Sequence, residues 1–295
     1  VLLIWGGAVL MMPDGTGPVV RTTVIQPCVL DGDPIPVKEQ NFFGAIREAR
    51  GKVDDSLVVI PESSLPDTLV GRPDFFDGVE EIRRFLNARA ILVNAVVFRE
   101  GRLTNSQFLM TAGGSLDQYD KNRLMLFGER FPFYDLFQKL PIYAANFANF
   151  SAGEQVRPMQ GDGLRIATPI CLEAIFEDYV AHLSRDAGMI VNPTDDEWFG
   201  VFHATWLHFS QVRLKTVENR RWLVRAANTG YSVVVDEKGR IRQDIPHDGP
   251  GRIVAEVPQL SGVTVYQRLA KWMPWIFGVL FVLLYVGGPY WRSRS

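Results

Sequence analysis

Short runs of β-branched and aliphatic residues recur along this chain with amphipathic helical patterns between them. That alternation restricts it to an α/β architecture. Strand-like runs lie at 21–25, 56–60, 90–98, 106–111, 165–170, 188–192, 222–226 and 232–236. Apolar residues at helical spacing predict helices over 39–50, 77–88 and 203–218. Gly161-Asp162-Gly163 and Glu237-Lys238-Gly239 are turn signals, and no Gly-rich phosphate loop accompanies the strands. With 295 residues, 47% of them hydrophobic, the chain can bury one substantial core. A net charge of −2 leaves no electrostatic footprint for a nucleic-acid partner.

The two ends differ from this pattern. Residues 272–290 form a nearly charge-free apolar run, about the roughly 20 residues a helix needs to span a bilayer. Trp272 and Trp275 at one end and Tyr290 and Trp291 at the other match interfacial anchors, with Arg268, Lys271, Arg292 and Arg294 outside them. A transmembrane helix is expected there. The flanking positive charge is balanced and does not orient it. Residues 1–12 are apolar but about half the length of a span, without the basic start or small-residue cleavage site of a signal peptide. The expected organisation is the end of a truncated transmembrane helix and linker at 1–19, a catalytic domain at 20–258, a linker at 259–271 and a transmembrane helix at 272–291.

Three segments each carry one reactive side chain: Glu62 after Val-Val-Ile-Pro, Lys121 within Tyr-Asp-Lys-Asn-Arg, and Cys171 after Ala-Thr-Pro-Ile. A carboxylate, an ammonium and a thiol together can perform acyl transfer: the first takes the thiol proton, the thiolate attacks a carbonyl, and the ammonium stabilises the oxyanion. Cys171 follows a strand pattern and precedes apolar residues at helical spacing, namely Leu172, Ile175, Phe176, Tyr179, Val180 and Leu183. This places it at a helix N-terminus, where the dipole is expected to lower its pKa and the Leu172 N–H could serve as an oxyanion donor. A disulfide between Cys28 and Cys171 would remove the nucleophile and is not expected. His203 and His208 are five residues apart, off the i, i+4 spacing of a helical zinc pair; His182 and His247 are isolated. No metal site is expected.

In this order, Glu62, Lys121 and Cys171 resemble the triad of the nitrilase superfamily. Within that superfamily, the words Lys121-Asn122-Arg123-Leu124, Phe127-Gly128-Glu129-Arg130-Phe131-Pro132, Asp196-Glu197-Trp198-Phe199-Gly200 and Asn228-Thr229-Gly230 are similar to the apolipoprotein N-acyltransferase family. The resemblance implies a nitrilase-like four-layer α-β-β-α sandwich with a C-terminal transmembrane helix. It implies acyl transfer from a phospholipid, through a Cys171 thioester, to the amine of a lipidated apolipoprotein, with no cofactor. A bacterial inner membrane is the implied location, with the catalytic domain on the periplasmic or outer side. Glu129 and Glu173 match further acidic positions, Glu173 holding the Cys171 turn and Glu129 orienting Lys121 or an incoming amine. Read from the residues alone, each is equally a surface or helix-terminal carboxylate. Arg213, Glu218, Arg221 and Arg225 read as a structural ion-pair network. The chain departs from the family at Leu172, where an aromatic residue is usual, at Asp195, where Asn is common, and at Val37-Lys38-Glu39, where Lys-Trp is frequent. A membrane-anchored amidase is the alternative enzyme, and a catalytically silent lipoprotein-binding module the alternative outside catalysis. Two long apolar loops, 63–77 and 133–150, are candidates for a lid facing the bilayer.

Overall fold

A computed structural model describes residues 11–131, 149–200, 202–245 and 249–292. The first half runs β1 (Val19–Gln26), α1 (Ile35–Ala49), β2 (Leu57–Val59), α2 (Asp67–Val70), α3 (Phe75–Phe85), β3 (Ala90–Arg99), β4 (Arg102–Thr111) and β5 (Leu116–Asp120). The second half runs β6 (Met159–Gly161), β7 (Leu164–Ala167), a 3₁₀ turn (Cys171–Ile175), α4 (Glu177–Leu183), β8 (Met189–Thr194), α5 (Phe202–Asn219), β9 (Leu223–Ala227), β10 (Val233–Val235) and β11 (Ile241–Asp244). β12 (Gly251–Pro258), α6 (Val265–Leu269) and α7 (Met273–Arg292) close the chain.

Two six-stranded sheets result, ordered β12-β1-β2-β3-β4-β5 and β11-β10-β9-β8-β7-β6. The period of two along each strand explains the layering. Leu57, Val59, Ala90 and Leu92 face the core shared with the second sheet, whereas Val58, Ile60, Ile91 and Val93 meet Phe42 and Ile46 of α1 and Val79 and Ile82 of α3. Strands covered on both faces need unbroken apolar runs, which is what β2 and the first half of β3 supply. Val180 and Leu183 of α4 and Phe209 and Val212 of α5 join the core on the second sheet's side. The expected four-layer α-β-β-α sandwich is the observed one.

Every run expected as a strand overlaps an observed strand, and all three expected helices form. Four strands, β5, β6, β11 and β12, lie outside those expectations. Two readings need correction. Beyond Cys171 the backbone makes one 3₁₀ turn, breaks at Phe176 (ψ 113°) and only then enters α4, so Cys171 does not head a continuous α-helix. The stretch 259–271, read as a linker, carries α6 with a Thr264–Gln267 capping box. It is docked on the domain by Arg185 Nη2 donating to the Gln267 carbonyl (2.7 Å) and Thr264 Oγ1 to the Glu218 carbonyl (2.8 Å).

Residues 1–10 and most of the 133–150 loop lie outside the described residues, so the expectations for them do too. Segment 63–77 is anchored on the core through Leu65, Leu69 and Phe75, and most of its other side chains are exposed. The helix spanning Val265–Tyr285 is long and apolar enough to cross a membrane and is unburied over its most apolar window. Its side chains from Trp275 to Tyr285 include no large buried hydrophobe.

The two kinds of leucine should respond differently. Leu92→Ala, between the sheets at 0% exposure, should cost about 2–5 kcal/mol. Leu283→Ala, on α7 at 63% exposure, should change stability by less than about 0.5 kcal/mol. Urea midpoints in detergent solution measure both.

Candidate active site

Three strand ends from the two sheets meet at one edge of the sandwich. β2 runs through Ile60 and Pro61 into Glu62, β5 ends at Asp120 immediately before Lys121, and β7 leads through 168–170 to Cys171. The Lys121 backbone is held on both sides: its N–H donates to the Asn105 carbonyl (2.8 Å), and its carbonyl accepts from Gly153 N–H (2.9 Å). Only glycine suits position 153, because a Cβ there would stand 2.3 Å from the Asp120 carbonyl oxygen.

Glu62, Lys121, Glu129, Cys171, Leu172 and Asp195 line one cleft of about 300 Å³. Lys121 Nζ lies 2.7 Å from Glu129 Oε1 and 3.2 Å from Glu62 Oε1. Burial alone would lower the lysine pKa, but Glu62, the thiol and Glu129 outweigh it and hold Lys121 charged well above the usual lysine range. Asn105 Nδ2 donates to both carboxylates, 2.8 Å to Glu62 Oε1 and 3.1 Å to Glu129 Oε1. Its own carbonyl accepts from Asn94 Nδ2 (2.7 Å). Backbone N–H groups complete the set, Asp195 to Glu62 Oε2 (3.2 Å) and Met125 to Glu129 Oε2 (2.9 Å).

Cys171 has φ +49°, a left-handed conformation that costs a non-glycine residue about 1–2 kcal/mol. Asn192 Nδ2 holds that turn, donating to the Pro169 carbonyl (2.8 Å) and the Cys171 carbonyl (3.2 Å). Arg225 fixes Asn192 and pairs with Asp196 (2.7 Å), whose carboxylate also meets His208 Nδ1 (3.0 Å). Burial, then Arg225, pushes His208 below the ordinary histidine range, so it is neutral at pH 7.

The thiol departs from the sequence expectation. Burial and the Glu62 charge push Cys171 up to about 12, against the pull of Lys121 and a hydrogen bond from Thr194. A helix dipole would have lowered it, but the five-residue 3₁₀ turn ends at Phe176 and supplies little of one. Neither cysteine is in a disulfide. Burial also raises Asp195 to about 7, with Glu62, Asp31 and Glu197 adding to the effect.

Glu173 ties the Cys171 turn to the Lys121 loop. Its carboxylate accepts N–H groups from Ile170 (2.9 Å), Asn122 (2.6 Å) and Arg123 (2.8 Å), and hydroxyls from Tyr119 (2.8 Å) and Tyr179 (3.1 Å). Neither Asn94 nor Asn105 was singled out in the sequence. The available signal was a polar stretch, Thr104 to Gln107, inside a strand that begins at Arg102. The network expected of Arg213, Glu218, Arg221 and Arg225 does not form among those residues. Arg213 donates to the Gly239 carbonyl, Arg221 to those of Ala187 and Gly262, and Glu218 pairs with Lys215.

The chain is similar to known proteins in sequence and in fold. The profile of the carbon-nitrogen hydrolase family matches residues 41–266. An apolipoprotein N-acyltransferase of Haemophilus influenzae is 30% identical over 254 residues, 81% of this chain and 48% of that protein. The chain therefore spans about half the length of this relative. Among solved structures, XC1258 of Xanthomonas campestris, a CN-hydrolase superfamily protein, superposes with a TM-score of 0.61 at 16% identity, over 86% of this chain and 95% of that one. Nit3 of Saccharomyces cerevisiae, a member of the nitrilase superfamily, gives 0.60 at 16% identity over 82% and 91%.

Two measurements follow from the electrostatics. Alkylation of Cys171 by iodoacetamide, followed by peptide mass, should accelerate about tenfold per pH unit from pH 7 to beyond pH 9. A thiol of pKa about 8.5 would level off there. Glu173→Ala strands three backbone N–H groups and should cost about 3 kcal/mol or more, read from the urea midpoint.

Proposed function

The chain belongs to the carbon-nitrogen hydrolase family, and on that premise we propose a membrane-attached acyltransferase. Its acyl donor is a phospholipid, and its acceptor is the N-terminal amine of a diacylglyceryl-cysteine lipoprotein. The observation that carries this reading is the pairing of buried charges with an apolar rim. Glu62 and Lys121 are buried at the cleft, while Leu126, Phe127 and Trp198 stand 61%, 64% and 70% exposed beside it. An exposed apolar surface of this kind suits a lipid substrate, and the unburied apolar helix at Val265–Tyr285 suits membrane attachment. We place the protein at a bacterial inner membrane, with the sandwich on the periplasmic or outer side.

In the reaction, Glu62 takes the Cys171 proton as sulfur attacks the ester carbonyl. Lys121 faces the developing oxyanion with its ammonium, and the Leu172 N–H is the second donor. Collapse breaks the ester bond, Glu62 returns the proton to the glycerol oxygen, and a lysophospholipid leaves. The acceptor amine then attacks the thioester, losing its proton to Glu62. The amide forms, and the thiolate leaves and is reprotonated. Glu129 holds Lys121, and Glu173 holds both backbone segments that carry the chemistry. If an amide replaces the ester in the first step and water replaces the amine in the second, the same site is an amidase.

The experiment incubates the 295-residue chain in phospholipid vesicles and measures its intact mass. An acyl adduct on Cys171 is expected, absent in Cys171→Ala and formed about 10²–10⁴-fold more slowly in Glu62→Gln. A diacylated peptide should discharge the adduct and gain the acyl chain. Rapid hydrolysis of small amides without peptide acylation would assign the amidase instead. Absence of any adduct or hydrolysis would favour a silent binding module.

A further inference from the structure

Sequence spacing tested only histidine and cysteine as metal ligands, yet the fold brings carboxylates together from distant segments. Asp31 follows β1 of one sheet, while Asp195 and Glu197 follow β8 of the other. One oxygen from each lies within 4.8 Å of the others. An acidic cluster alone means little, because surface carboxylates often gather without a ligand. Asp195 supplies a second observation. It is 3% exposed and lines the cleft, its Oδ1 accepts the Glu197 N–H (3.2 Å), and its Oδ2 has no hydrogen-bond partner among the described residues. A buried carboxylate oxygen without a donor calls for a ligand.

We propose that Asp31, Asp195 and Glu197 form a binding site for a divalent cation of calcium's size in the wall of the cleft. Three carboxylates would face the ion, and Lys38 also lines the cleft. Hard carboxylate oxygens suit calcium or magnesium, not zinc or copper. The number of carboxylates favours the larger ion. Calcium accepts several carboxylates in a flexible geometry, whereas magnesium keeps several waters and takes one or two carboxylates. Glu197 also accepts the Asp31 N–H (3.0 Å) through Oε2, and a carboxylate retains lone pairs for an ion beside such a bond. A bound cation would cross-link the segment after β1 to the turn after β8, bracing the cleft from both sheets.

Terbium luminescence tests this without reference to activity, so its outcome is separate from that of the acyltransferase reading. Trp198, adjacent to Glu197, is the sensitiser. The 295-residue chain in detergent is titrated with Tb³⁺ while tryptophan is excited, then challenged with Ca²⁺, Mg²⁺ or ethylammonium. Sensitised emission that Ca²⁺ displaces is expected, with at least about tenfold weaker Tb³⁺ binding in Asp195→Asn and in Glu197→Gln. Glu197→Gln keeps the test open if the buried Asp195 variant fails to fold. Emission that is absent, unaltered in a folded variant, displaced equally by Mg²⁺, or displaced by ethylammonium but not Ca²⁺ would overturn the proposal.

Discussion

Lys121 is an ammonium sealed at the edge of a sandwich, and a buried charge of that kind persists only with close counter-charges and saturated donors. Glu129 at 2.7 Å and Glu62 at 3.2 Å supply them. That requirement organises much of the fold around it. Both carboxylates need partners for their remaining lone pairs, which Asn105 and two backbone N–H groups provide. The strand ends must therefore register across the two sheets, since the Asp195 N–H comes from one and Glu62 from the other. Glu173 extends the same logic by locking the Lys121 loop and the Cys171 turn to a single carboxylate.

The thiol rests in the opposite regime. Lys121 draws its pKa down, but burial and Glu62 win, and at neutral pH the thiol stays protonated. Under the proposed reaction, proton transfer waits for a carbonyl to arrive at the ammonium. The strained turn at Cys171 is maintained by Asn192, which Arg225 and Asp196 support from beneath. The geometry at Cys171 thus rests on buried polar groups beneath it.

Much of this was legible along the chain. Parallel strands covered on both faces need continuous apolar runs, so β2, β3 and β8 read directly as strands. β5 (Leu-Asp-Gln-Tyr-Asp) and β11 (Ile-Arg-Gln-Asp) did not, because β5 is mostly polar and β11 is exposed throughout. Starting β4 at 106 rather than Arg102 left Asn105 just outside the expected strand. Helical spacing after Cys171 was real, but Phe176 breaks it, and with the break went the expected lowering of the thiol pKa. Segment 259–271 read as a linker and proved docked, while 63–77, readable as a lid or as a loop packed on the core, is anchored there by three side chains, since docking depends on surfaces contributed elsewhere.

By itself the sequence determined the alternation of elements, the apolar C-terminal helix and the three reactive positions at strand ends, because periodicity and residue chemistry are local properties. Only the tertiary structure decided that Asn94 and Asn105 complete the charged cluster, that Glu173 clamps two loops, that the thiol stays protonated, and that Asp31 meets Asp195 and Glu197. Each of these depends on burial and on distances between residues far apart in the chain. Hydrogen-bond partnership and local dielectric arise only when separate segments are packed together.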